Sequence, residues 1–336
     1  MNITVIIPTY RRPNDLARCL SALVQQTRLA DEVVVVARDT DQATWEFLAA
    51  YQSDLRLQTV TVNVPGVVAA MNAGLDVTSG ELVAFTDDDA APHKDWLETL
   101  ESHFLIDAHV GAVGGRDVMC GRAPAMPAPK RVEIVGKVQW FGRVIGNHSY
   151  GTGKAREVDV LKGVNMGFRV AALKEVYFDQ RMRGTGAQVY FEDGCCLSLK
   201  RRGWKIIYDP QIVVDHYVAQ RFDEDKRRQF VRIALVNKVH NETLNLLEYF
   251  SPLRRGVFLL WAIAIGTRNN RGLAQCLRFL PAEGGLSLQK LLAAWQGRWL
   301  GWQTWRQSQS TQNQSTQNQS TQNQTAQNQT AQNQTT

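Results

Sequence analysis

The first ninety residues switch repeatedly between short apolar runs and stretches with helical spacing. Ile3 to Ile7 is a β-branched run that predicts a strand, and Pro8-Thr9-Tyr10-Arg11-Arg12-Pro13 predicts the loop that ends it. Leu16, Cys19, Leu20 and Leu23 then recur at helical spacing, with Asn14 or Asp15 as the cap. Val33 to Val36 is apolar on both faces, as in a covered parallel strand. A helix is expected over 42–51, a third strand over 57–62, a helix over 67–75, and a fourth strand over Glu81 to Phe85. This β-α-β-α-β-α-β order predicts an α/β protein with a doubly wound, mostly parallel sheet. Such sheets bind ligands beyond the carboxyl ends of their strands. Here those ends carry Thr9 and Arg11, then Asp39 and Asp41, then Asp87-Asp88-Asp89.

The triplet is the chemically loudest feature. An isolated buried carboxylate is costly to desolvate, so three at the end of an apolar strand are unexpected as packing. Asp87 and Asp89 share one side of an extended chain, and paired carboxylates suit a hard divalent cation such as Mg²⁺ or Mn²⁺. An acidic turn capping the next helix is the plainer reading of the triplet alone.

Further along, a helix is expected over 92–104, with Trp96, Leu97, Leu100 and Phe104 on one face. Residues 110–113 and 116–119 read as two short extended pieces, and the Pro/Ala-rich stretch 122–130 as a loop. Residues 204–208 and 212–216 read as separate strands flanking Pro210, and Glu192-Asp193 opens a helix reaching Arg202.

Taken together, these motifs resemble family 2 glycosyltransferases of the GT-A fold. The resemblance covers roughly residues 1–220. It rests on Ile7-Pro8-Thr9-Tyr10-Arg11, the acids near Asp39, and Asn63…Gly66…Ala70-Met71-Asn72-Ala73-Gly74-Leu75. It continues through Gly80-Glu81…Asp87-Asp88-Asp89, Gly163-Val164-Asn165-Met166-Gly167, Glu192-Asp193…Arg201-Arg202-Gly203-Trp204 and Asp215-His216. The resemblance implies a metal-dependent, inverting transfer of a sugar from a nucleotide-sugar donor to a hydroxyl acceptor, in polysaccharide or glycolipid assembly. It implies that Pro8, Thr9, Tyr10, Arg11, Asp39, Asn72, Asp87 and Asp88 hold the donor. It places a divalent metal (Mn or Mg) at Asp87 and Asp89 with His216, and the general base in the Glu192-Asp193 pair, with Asp193 preferred. Trp140 and His148 are candidates to face the acceptor, and Asn165 to line the site. The chain departs from the family's pattern at Ala37 and Arg38, where an acid is common, at Met71, where an Arg is common, and at Gly194. These departures leave the nucleotide open. They also keep two alternatives in view: a nucleotidyltransferase on a related sheet, and an inactive nucleotide-sugar-binding protein.

Composition adds three points. The net charge is +6, but the basic excess is local rather than spread as in a nucleic-acid binder. Residues 251–306 hold eight Lys/Arg against Glu283 alone, and five of the nine Trp. Leu288, Leu291, Leu292, Trp295, Trp299 and Trp302 recur on one helical face. Residues 221–306 are therefore expected to form helices that lie in a membrane interface or pack on the catalytic part. The acceptor is then a glycan or lipid-linked glycan. Five cysteines without metal or disulfide spacing, and a first strand where a leader would stand, predict a cytoplasmic protein at the inner membrane face. Residues 307–336 repeat Thr-Gln-Asn-Gln, hold no large apolar residue, and are expected to be disordered.

Overall fold

Every side chain from Val33 to Val36 is buried, which requires cover on both faces of the sheet. In the computed structural model, residues 1–121, 132–226 and 229–333 are described, with side chains to residue 311. Strands β1 (Ile3–Thr9), β2 (Glu32–Arg38), β3 (Leu57–Val62) and β4 (Leu82–Phe85) are joined by helices α1 (Pro13–Val24), α2 (Gln42–Ala50) and α3 (Val67–Val77). All three pairings within the order β3-β2-β1-β4 are parallel. Alternation along these strands divides the core. Ile6, Val34, Val36, Val83 and Phe85 pack on one face, and Val5, Ile7, Val33, Val35 and Ala84 on the other.

The chain then adds β5 (Ala90–Pro92), α4 (Trp96–Ile106), β6 (Val110–Met119) and a small hairpin of β7 (Lys137–Val138) and β8 (Val144–Ile145). It continues with β9 (Arg156–Glu157), β10 (Met166–Arg169), α5 (Val170–Lys174), α6 (Phe191–Arg201) and β11 (Lys205–His216). The main sheet reads β3-β2-β1-β4-β10-β6-β11-β5, with β9 against β11. Its second half is mixed, since β10 runs antiparallel to both neighbours.

Three expectations change here. The helix expected from Pro92 starts at Trp96, because Ala90 to Pro92 is taken up by antiparallel pairing with β11. The two pieces at 110–119 are one strand, pinned by β10 and β11. The two strands around Pro210 are also one. A bulge between Asp209 and Val213 accommodates the proline without ending the ladder. The Pro/Ala-rich stretch 122–130 lies outside the described residues.

Four helices follow: α7 (Arg232–Tyr249), α8 (Pro252–Ala264), α9 (Leu273–Glu283) and α10 (Gly285–Asn333). α7 packs against α6 on one side and α10 on the other. The α7–α10 approach is close because α10 presents Gly297 and Gly301. An added Cβ would stand 2.7 Å from the Val236 carbonyl at the first and 2.8 Å from the His240 carbonyl at the second. Arg298 between them is buried, donating to Thr243 Oγ1 at 3.0 Å and pairing with Glu242 at 2.7 Å. The expected Leu/Trp face of α10 is therefore split. Leu291 is buried with Ala294, Gly297 and Arg298, and Trp302 is half-buried in a cluster with Phe258. Leu288, Leu292, Trp295 and Trp299 remain exposed. The helical backbone of α10 continues through the polar repeat, where composition predicts disorder. No Gly or Pro follows Gly301 to break it.

Gly115 of β6 faces the bulge, and a Cβ there would overlap the Ile212 carbonyl oxygen and Cβ. Backbone cannot yield as a side-chain tip can. Gly115→Ala is expected to lose at least about 1–3 kcal/mol, seen as a lower urea midpoint at unchanged slope.

Candidate active site

A cavity of about 450 Å³ opens beyond the carboxyl ends of the parallel strands, where such sheets bind ligands. Its walls come from the ends of β1 (Pro8, Thr9, Tyr10), β2 (Arg38), β3 (Val62) and β4 (Asp87, Asp89). They are completed by Lys162 to Val164, Phe191 and Glu192 of α6, His216 of β11, and the segment Gln220 to Asp223.

Asp88 and Asp89 of the carboxylate triplet are buried and heavily tied, and Asp87 is half-buried. Asp88 accepts from Thr9 Oγ1 at 2.7 Å and pairs with the Arg12 guanidinium at 2.7 Å. Burial pushes Asp88 up to about 7 in spite of Arg12 and Thr9. Asp89 accepts from the Ala219 amide at 2.8 Å and lies 3.4 Å from Arg12. Burial works against its ionisation, but His216 and Arg12 outweigh burial and hold Asp89 well below the usual carboxylate range. Asp87 is raised, by burial and then by the charge of Asp89. Asp88 thus faces inward as a support, and Asp87 and Asp89 face the cavity.

His216 completes this group. Its Nε2 is 3.3 Å from Asp89 Oδ1 and its Nδ1 is 3.7 Å from Asp117 Oδ2, yet neither buried nitrogen makes a hydrogen bond. Burial alone would lower its pKa; the surrounding carboxylates outweigh it and raise it to about 9. Among the described residues, Asp87, Asp89 and His216 offer donor atoms within 4.8 Å of one another. Two carboxylates and an imidazole with idle nitrogens fit a divalent cation. Such binding would displace the imidazole proton.

Glu192 lies in the first turn of α6 and lines the same cavity. One oxygen accepts from the Gly163 amide at 3.4 Å; the other is buried without a partner. Burial raises its pKa, against its own amide, Gly163 and Lys162. Lys162 is itself anchored by Asp117. Asp193, the base preferred from sequence, does not line the cavity. It is buried toward α7, where burial first, then Glu192 and Glu242, push its pKa well up. Helical rotation separates the neighbours by about 100°, so only Glu192 reaches the cavity.

The segment leading to Glu192 is strained and clamped. Gln188 (φ 40°) and Tyr190 (φ 75°) are left-handed. Gln188 accepts from the Val68 amide at 3.0 Å and donates to the Met182 carbonyl at 2.7 Å. Two asparagines of α7 hold the rest. Asn241 accepts from the Arg183 amide at 2.8 Å and donates to the Arg183 and Val189 carbonyls. Asn245 donates to the Tyr190 carbonyl at 2.7 Å. Asn245 also explains the departure at Gly194, since a Cβ there would collide with its side-chain oxygen.

Other sequence candidates lie elsewhere. Arg11 has φ 58° and its guanidinium sits over the Tyr10 ring at 5.1 Å, and it is the next residue, Arg12, that grips the carboxylates. Asp39 is 44 % exposed and outside the cavity. Asp41 accepts from the Arg11 amide and caps α2 through the Thr44 amide. Asn72 clamps the backbone of Phe178 from both its amide atoms. Asn165 is a buried strut, accepting from Trp96 Nε1 and donating to the Arg116 and Ile212 carbonyls. His148 packs against Tyr208 in the core, and Trp140 is exposed outside the cavity. Sequence reading missed Arg12, Arg38 and the 220–223 segment, while the turn from Lys162, expected to line the site, does so through Lys162 to Val164. For Arg12 the adjacent Arg11-Arg12 pair was the available signal.

Residues 4–177 match the family described as Glycosyl transferase family 2, more than half of the 336-residue chain. The chain belongs to that family. Its fold is the GT-A fold. The chain is 36% identical over 99 residues to the glycosyltransferase GlyA of Streptococcus pneumoniae, covering 29% of this chain and 14% of that protein. It is 25% identical over 227 residues to the glucosyl-dolichyl phosphate glucuronosyltransferase of Haloferax volcanii, covering 64% of this chain and 69% of that one. Among solved structures, S. aureus TarS 1-349 in complex with UDP-GlcNAc superposes with TM-score 0.55 at 16% identity, over 93% of this chain and 92% of that one. The mannosyltransferase PcManGT of Pyrobaculum calidifontis, in complex with GDP-Man and Mn²⁺, gives 0.54 at 18% identity, over 88% and 86%.

Glu192→Gln is expected to lower turnover by about 10²–10⁴-fold, while Asp193→Asn stays within about tenfold of wild type. The neutral Asp193 favours the fold only below the unfolded pKa near 3.9, and this is lost as pH rises toward its higher folded value. Asp193→Asn should therefore gain stability over wild type between about pH 5 and about pH 8. Transfer assays and urea melts at both pH values read the two outcomes.

Proposed function

We propose that the protein is a metal-dependent, inverting glycosyltransferase that moves a sugar from a nucleoside-diphosphate donor to a hydroxyl of a glycan or lipid-linked glycan, in polysaccharide or glycolipid assembly. The observation that carries this reading is one cavity holding both the Asp87/Asp89/His216 donor set and the unpartnered carboxylate of Glu192. Asp87, Asp89 and His216 would hold the cation. A divalent cation there neutralises charge developing on the leaving diphosphate. Glu192 accepts the proton of the acceptor hydroxyl, whose oxygen bonds to the anomeric carbon as the bond from that carbon to the diphosphate breaks. Burial raises its pKa and makes it a stronger base than an ordinary carboxylate. Lys162 keeps the carboxylate side of the site from accumulating negative charge. The nucleotide-sugar complexes of TarS and PcManGT, the latter with Mn²⁺, support the donor class. The nucleotidyltransferase alternative falls with the family assignment.

The reading extends to a membrane surface. Among the described residues no helix is long and apolar enough to cross a membrane. Yet Leu288, Leu292, Trp295 and Trp299 form an exposed stripe on α10, and Trp299 stacks on Trp302 at 5.0 Å. Glu283, the one acid over 251–306, is tied to Arg271 and Lys290. Arg268, Arg278 and Arg306 stay exposed. Each half-exposed apolar side chain contributes about 1 kcal/mol on insertion, and each Arg about 1 kcal/mol at an anionic surface. The sum gives reversible docking that depends on both terms. The dolichyl phosphate substrate named for the Haloferax relative supports a lipid-linked acceptor.

Two measurements test this. A nucleoside diphosphate should raise the melting temperature only with Mn²⁺ or Mg²⁺, and Asp89→Asn should abolish the shift; a cation-independent shift would sink the metal reading. The protein should float with vesicles containing phosphatidylglycerol but not with phosphatidylcholine alone, and Leu292→Gln/Trp299→Gln should stay at the bottom of the gradient.

A further inference from the structure

We infer that Arg38 selects a guanine nucleotide, so that the donor is a GDP-sugar; this rests on the transferase reading above. The order β3-β2-β1-β4 puts the end of β2 two strands from the Asp87/Asp89 group. At about 4.8 Å per strand that is roughly 10 Å, the reach of a ribose and base from a diphosphate held at β4. Tyr10, Val62 and Pro65 give the wall there an aromatic ring and apolar side chains, which suits the face of a planar base. The polar group that β2 contributes to it is the Arg38 guanidinium, 6.0 Å from the centroid of the Tyr10 ring. Its Nε is buried and makes no hydrogen bond; the neighbouring Asp39 carboxylate lies 3.5 Å away. Of the acids that follow Arg38, Asp39 is 44 % exposed and stands on the Nε side of the guanidinium, and Asp41 is turned to the Arg11 amide and the α2 cap; neither lines the cavity. Among the described residues, the end of β2 therefore offers the cavity a forked donor and no carboxylate.

A guanidinium fork matches a base edge with two adjacent acceptors. Guanine supplies them in O6 and N7. Adenine sets an amino donor beside N7, which opposes the fork. Uracil separates its two carbonyls by an N–H, so the fork engages one of them. The apolar wall meets the face of any of the three bases, and the donor pattern does the selecting.

The test is calorimetric titration of GDP, UDP and ADP into wild type and Arg38→Met, with Mn²⁺ at one fixed salt concentration. Methionine keeps the aliphatic stem and removes the fork. GDP is expected to bind wild type about 5- to 150-fold tighter than UDP or ADP. In Arg38→Met, GDP should fall to within about twofold of UDP, with UDP losing less than GDP because the fork engages only one of its carbonyls. UDP or ADP binding wild type as tightly as GDP overturns the assignment and leaves the transferase reading standing. Equal weakening of all three by Arg38→Met overturns it too, because Arg38 would then contact the shared ribose or phosphate. Binding of none of the three overturns the guanine assignment.

Discussion

The site depends on one electrostatic constraint: three consecutive carboxylates are kept at the end of a buried strand. Each is costly alone, and together they repel. Asp88 is turned inward onto Thr9 and Arg12. Asp89 is stabilised by an amide from the segment after β11 and by His216. Asp87 and Asp89 are left facing a cavity in which a cation would balance their charge. The compensating groups come from the loop after β1, from β11 and from the segment after it. The carboxylates thereby fix how these elements meet, and the long bulged strand β11 serves to deliver His216 and Ala219 to the strand end.

A second constraint acts on the other side of the cavity. Glu192 follows two left-handed, non-glycine residues, and such backbone persists only when its surroundings over-determine it. Here Asn241 and Asn245 of α7 supply the hydrogen bonds. α7 is in turn seated by α10 through Gly297, Gly301 and the buried Arg298–Glu242 pair. The C-terminal helices are thus part of the support for the Glu192 carboxylate, while α10 keeps a Trp/Leu stripe outward. The exposed stripe and the helix that holds the segment before Glu192 belong to one connected body of packing.

The hydrophobic pattern alone determined the four leading strands, their helices and the parallel half of the sheet, because burial on two faces leaves an unmistakable run such as Val33 to Val36. It also determined where the carboxylates and the Glu192-Asp193 pair stand in the chain, and the order of motifs pointed to the family. What only the tertiary structure decided is which member of each adjacent polar pair faces the cavity. Arg12 rather than Arg11, Glu192 rather than Asp193, and Arg38 rather than Asp39 are choices between neighbours. Local spacing treats such neighbours almost alike; a left-handed φ at Arg11, about 100° of helical rotation at Glu192 and the register of β2 separate them. The merging of split strands into β6 and β11 was equally hidden, since Pro210 breaks the pattern in sequence but only bulges the ladder in space. Side-chain direction is set by long-range packing, and that information is spread over partners a hundred residues away.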